Sequence, residues 1–221
     1  MTELATLEIE SAANPDACVI WLHGLGADAH DFEGMVLKLK PYLESSIRYV
    51  FPNAPFMAVT INNGFVMRAW FDVIGLEANS ETDETGIRES ANILTGLIKR
   101  EEERGIDASR IVLAGFSQGG VIALHTGLRY PKKLAGIMAL STWLPLSETL
   151  TAEASKANQQ THIFMAHGDN DPVVDIRLAK QTRDLLDSKD YAIAWHTYTM
   201  EHSVGTEEVK DIGNWLSDVL G

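Results

Sequence analysis

Residues Arg110 to His125 read as a buried apolar strand that runs into Gly115-Phe116-Ser117-Gln118-Gly119 and then into a helix with small residues at its start. A chain that passes from strand to helix so quickly must turn sharply, which places Ser117 in strained backbone geometry and leaves no room for side chains two residues to either side. Glycine stands at both of those places. The five-residue pattern alone arises by accident in roughly one chain in twenty of this size from ordinary Gly and Ser usage. The strand before it and the helix after it are what make Ser117 a candidate nucleophile rather than a serine in a structural turn.

The remaining apolar segments set this turn in a layered fold. Short β-branched runs at Leu4 to Ile9, Ala17 to Leu22, Ile47 to Phe51, Leu134 to Leu140, His162 to Ala166 and Ile193 to Tyr198 alternate with stretches of helical period. The helices predicted between them are Phe32 to Leu39, stopped by Pro41; Gly86 to Arg104; Gln118 to Arg129; Asp175 to Ser188; and Glu207 to Leu220. Most of the strand runs are apolar at every position, as strands covered on both faces are, so the class is α/β with a mostly parallel central sheet flanked by helices. At 221 residues and 45% hydrophobic, one domain over residues 1–221 is expected.

Between Pro52 and Thr85 no period is sustained, yet Met57, Val59, Ile61, Phe65, Val66, Met67, Trp70 and Phe71 are more apolar surface than a solvated loop carries. That stretch is either a surface excursion with its own small cluster or part of the wall of a site.

Composition narrows the partners. Eighteen basic against 31 acidic residues give a net charge of −13, which repels nucleic-acid backbones and anionic lipid headgroups. No basic and apolar leader opens the chain and no run approaches the ~18 apolar residues that cross a bilayer, so a cytoplasmic protein without stable membrane insertion is expected. The single cysteine, Cys18, reads as a buried inert thiol. No metal-ligand spacing occurs, and neither metal nor cofactor is expected.

A serine hydroxyl needs a base, and the base needs a carboxylate to fix its tautomer. After a turn of this kind the order expected along the chain is Ser, acid, His. His125 lies eight residues into the following helix and points away, His196 is held inside a strand, and His167 precedes the acid. His202, between the last strand and the last helix, is the candidate base. For the acid, Asp171 is preferred to Asp169: Pro172 holds it extended and Val173-Val174 can bury its flank, whereas Asp169 suits a turn cap. An oxyanion requires two N–H donors. The Gln118 amide at the helix start is one, and Leu25 in His23-Gly24-Leu25-Gly26-Ala27 is the other, unless that segment is an ordinary glycine turn.

Seven segments together resemble the phospholipase/carboxylesterase family, which includes bacterial type 2 carboxylesterases and acyl-protein thioesterases. They are His23 to Ala27, Phe51 to Pro55, Met67 to Asp72, Gly115 to Gly120, Ser141 to Pro145, Gly168 to Val174 and Met200 to Val204. The resemblance runs in order over nearly the whole chain. It implies an α/β-hydrolase fold, with Ser117, Asp171 and His202 as the triad and the Leu25 and Gln118 amides as the oxyanion hole. Trp143 stands where relatives often carry a smaller or tyrosine side chain.

With only about twenty residues between Leu140 and His162, no large cap domain is expected. Acyl contacts are then expected from Met67, Trp70, Phe71, Val73, Ile74, Trp143, Leu144 and Val174. The function expected is a serine carboxylesterase for short to medium acyl chains that also takes thioesters or lysophospholipids, with a small-molecule ester or acylated substrate as partner. Its activity should rise with pH through the reference histidine value of ~6.5. Acyl-protein thioesterase as the main role, amide hydrolysis, and a non-catalytic binding module on the same fold are the alternatives. The resemblance allows a homodimer and leaves the oligomeric state open.

Overall fold

The computed structural model describes residues 4–75 and 81–221. Its strands are β1 (Thr6–Glu10), β2 (Ala17–Leu22), β3 (Ile47–Pro52), β4 (Phe56–Val59), β5 (Phe65–Arg68), β6 (Ile111–Phe116), β7 (Gly136–Leu140), β8 (His162–Gly168) and β9 (Ile193–Tyr198). Seven of them form one sheet in the order β1-β3-β2-β6-β7-β8-β9, with β4 and β5 apart as a hairpin. The strand β1 runs antiparallel to β3, and all other pairs in the large sheet are parallel. This is the α/β-hydrolase fold that the resemblance implied.

Alternation along each strand feeds two layers. In β2, Cys18, Ile20 and Leu22 face one core with Ile87, Leu94 and Ile98 of α2 (Glu84–Glu103) and Val121 and Ile122 of α3 (Gln118–Gly127). Ala17, Val19 and Trp21 face the other, with α1 (Met35–Leu39) and the Val209, Ile212 and Trp215 stripe of α6 (Thr206–Leu220). A third cluster packs α4 (Leu150–Glu153) and α5 (Ile176–Asp187) under β7 and β8. Burial pushes the Cys18 thiol well above its usual range, which keeps it protonated.

Some boundaries differ from the sequence reading. The first strand starts at Thr6, not Leu4. The strand expected from Leu134 starts at Gly136, because the Leu134 N–H goes to the Asn158 side chain (2.9 Å) instead of a ladder partner. The first helix is only Met35–Leu39, and Pro41 sits inside a following 3₁₀ turn, Lys40–Tyr42, where a missing N–H costs nothing. The helix after Ser117 ends at Gly127, not Arg129.

The stretch after Pro52 holds the β4–β5 hairpin. It closes through Asn63 and Gly64, both left-handed at φ 55° and 76°. Ala69, Trp70 and Phe71 then dive into the core.

Successive strands spread outward from the centre in both directions, toward β3 on one side and β7 on the other. The loops leaving the carboxyl ends of β2 and β6 therefore emerge side by side at the point where the order reverses, the crevice where such sheets bind ligands. No large insertion separates β7 from β8. Among the described residues, no helix is long and apolar enough to cross a membrane.

Candidate active site

Ser117 alone makes the bend between β6 and α3, at φ 53° and ψ −119°. That strained conformation is held from both sides: its N–H donates to Leu140 O at 2.8 Å and its carbonyl accepts from Thr142 Oγ1 at 2.7 Å. A Cβ on Gly115 would strike the Gly119 carbonyl, and one on Gly119 would strike the carbonyls of Leu22 and His23. The steric demand on both glycines is thus visible in the packing. Gly120 is confined too, its missing Cβ falling 2.8 Å from Thr142 Cβ.

Ser117 lines a cavity of about 300 Å³ together with Leu25, Phe116, Gln118, Trp143 and His202. Among the described residues, the amides of Leu25 and Gln118 donate to no backbone carbonyl. The Gln118 amide also sits at the positive end of α3.

Across the cavity, Asp171 follows β8 with its carboxylate fully buried. Oδ1 accepts from the Val173 and Val174 amides at 2.8 and 2.9 Å, and Oδ2 accepts from His202 Nδ1 at 2.6 Å. A proton on Nδ1 leaves His202 Nε2 with a free lone pair. No hydrogen bond closes between Ser117 Oγ and His202; such contacts are often long in unliganded enzymes and tighten on binding. The burial expected from Val173-Val174 comes only from Val174, since Val173 is 45% exposed, and backbone amides do the rest. Asp169 is exposed; its amide donates to Tyr198 O at 2.8 Å.

The structure adds supporting residues that spacing did not reveal. His167 Nε2 donates to Val174 O at 2.8 Å and lies 3.4 Å from Asp171 Oδ2, bracing the acid's turn from below. Burial lowers its pKa, so the ring is a neutral donor. Gln118 supplies a side chain as well as an amide: Oε1 accepts from Trp70 N (2.8 Å) and Nε2 donates to Phe71 O (2.6 Å). Trp70 Nε1 donates to His23 O at 2.9 Å, and His23 Nε2 accepts from the Ala54 amide at 3.0 Å while Nδ1 donates to Gly24 O at 2.7 Å. Burial lowers the His23 pKa and favours this neutral tautomer.

The eight acyl-contact residues divide into three sets. Val73, Trp143 and Val174 line the cavity beside Ser117, joined by Ile61, Asn62 and Val173. Phe71, Ile74 and Leu144 line a neighbouring cavity of about 310 Å³ that shares Val73 and Trp143 with the first. Met67 and Trp70 line neither. Met67 accepts from Asn62 Nδ2 at 3.4 Å, and Trp70 is spent in the core, its ring 5.3 Å from that of His23. A side chain committed to the layer beneath the site cannot also be its surface.

Of the other histidines, His125 is buried in α3 with its pKa lowered to about 4 by burial and Arg129, and His196 stacks on Phe164 at 4.9 Å. Among the described residues no cluster of His, Cys, Asp or Glu has the makings of a metal site.

Comparison with known proteins matches residues 4–220 to the model of a family described as phospholipase/carboxylesterase. The chain is 38% identical over 238 residues to an acyl-protein thioesterase 1 from Mycosarcoma maydis, covering all of this chain and 99% of that one. It is 39% identical over 223 residues to an acyl-protein thioesterase 1 from Neurospora crassa, covering 97% of this chain and 91% of the other. Among solved structures, Zea mays acyl-protein thioesterase 2 superposes with a TM-score of 0.85 at 27% identity, covering 98% of this chain and 99% of that one.

Proposed function

The chain belongs to the phospholipase/carboxylesterase family, and from that premise we propose that it is a serine hydrolase cleaving acyl thioesters and carboxylic esters, with S-acylated cysteine in peptides or proteins as its main substrate. The observation that carries this reading is the 2.6 Å Asp171–His202 pair, which leaves Nε2 available in the cavity that Ser117 lines. Support for thioesters comes from the names of the relatives that match over nearly full length.

In this mechanism Ser117 Oγ attacks the acyl carbon as His202 Nε2 takes its proton, and Asp171 stabilises the imidazolium through Nδ1–H. Charge that develops on the carbonyl oxygen is met by the Leu25 and Gln118 amides. The C–S or C–O bond then breaks, and the leaving thiolate or alkoxide takes the proton from Nε2. Water, deprotonated by the same nitrogen, releases the carboxylic acid from Ser117. The apolar wall formed by Ile61, Val73, Trp143 and Val174 takes the acyl chain.

A fluorophosphonate probe should label the protein at Ser117 and fail to label Ser117→Ala. Side-by-side turnover of an S-acyl peptide, a short p-nitrophenyl ester and a lysophospholipid should rank the peptide first by kcat/KM. Labelling that survives Ser117→Ala would overturn the nucleophile, and a lysophospholipid ranked first would overturn the substrate.

A further inference from the structure

The wall of the reaction cavity is apolar over most of its extent, but one side carries Asp31, the only carboxylate among its lining residues and, with His202, one of only two ionisable side chains there. No ion pair within 4.0 Å and no side-chain hydrogen bond is made by the Asp31 carboxyl among the described residues; its neighbour in charge is Asp28. The same loop carries Glu33, which spends itself on His30 at 2.9 Å, while Asp28 accepts from the His30 amide at 2.9 Å. Asp31 is exposed at the cavity's edge, and its partial burial together with the Asp28 charge raises its pKa.

A carboxylate without a partner at the edge of an apolar wall gains from whatever group supplies the opposite charge. An acyl chain cannot, and it belongs on the apolar wall. What remains to face Asp31 is the leaving-group half of the substrate. We propose that Asp31 is a specificity-determining residue that selects S-acyl peptides with Lys or Arg flanking the acylated cysteine and disfavours leaving groups that bring phosphate or carboxylate. The inference rests on the acyl-peptide reading above and names the kind of peptide.

The test compares two octanoylated cysteine peptides, alike except for flanking lysines or flanking glutamates, with p-nitrophenyl butyrate as a charge-free control. At low ionic strength the lysine peptide should show kcat/KM about fivefold or more above the glutamate peptide, shrinking at about 0.5 M salt as screening shortens the reach of the charge. In Asp31→Asn that ratio should fall to within about twofold. In Glu33→Gln, which removes one charge of the same loop away from the cavity, it should stay at the wild-type value.

A ratio near one in the wild type, or one that Asp31→Asn leaves intact, overturns the role of Asp31; in the second case the overall charge of −13 would be the source of the preference. Equal loss for both peptides, with the ratio kept, would make Asp31 a structural residue and overturn the proposal as well. Hydrolysis of the butyrate without either peptide would overturn the acyl-peptide substrate, and no hydrolysis of any of the three would overturn the proposed function itself.

Discussion

Two buried carboxyls hold the segments on either side of His202, and they are built in opposite ways. Asp171 accepts from two backbone amides and the imidazole, three donors arranged for an anion. Glu208, in the first turn of α6, is equally hidden from solvent but has a single contact, from the Gly205 amide at 3.3 Å to Oε2, and its Oε1 has no partner. Burial, with help from Asp211, pushes its pKa up to about 8. Depth is the same in both places; the supply of donors differs. Burial alone therefore does not make an acid suitable for catalysis.

The largest effect that contrast predicts is on rate. Asp171→Asn keeps the size and removes the charge, which frees the wrong imidazole nitrogen to carry the proton, and kcat should fall by about 10⁴-fold at unchanged melting temperature. A loss under tenfold would mean that Asp171 does not govern the histidine.

Glu208 should report through stability instead. Its folded pKa of about 8 lies above the unfolded 4.5, so between those values the folded state holds a proton that the unfolded state has lost. Its contribution is full below about pH 4.5 and declines to nothing by about pH 8, a span on the order of 3–5 kcal/mol. Glu208→Gln cannot titrate, so the wild type should lose stability relative to the variant as pH rises through that window. Parallel denaturation curves from pH 5 to 8.5 would show that the buried carboxyl is not protonated.

The smallest effect is expected two residues before Asp171. Asp169→Asn should change kcat/KM by less than about twofold, because the side chain is exposed and the hydrogen bond of this residue runs through its amide to Tyr198 O.

The contrast also marks what could be read in the residues alone. Strands buried on both faces declare themselves, as Ala17–Leu22 and Ile111–Phe116 do, because every position is apolar. The bend at Ser117 is legible for a steric reason, since only glycine fits two residues to either side of it. The hairpin is hard to read although Asn63-Gly64 is a dipeptide that closes hairpins, because Phe56, Phe65 and Val66 are apolar yet exposed, which erases the alternation that flags a strand. His167 and the Gln118 side chain carry no sequence signal for their roles. Their partners are main-chain atoms of other segments, and any residue type offers those.

Gly119 has one more consequence. Its bare Cα lies against the carbonyls of Leu22 and His23, and the carbonyl of His23 is also the acceptor for the Trp70 indole. Main chain from two distant parts of the polypeptide and a rigid indole from a third thus meet at one spot, with hardly any flexible side chain between to absorb a misfit. A partly assembled molecule would have no crude version of this centre to work with, so competence for chemistry should arrive only with the last correct docking of the whole.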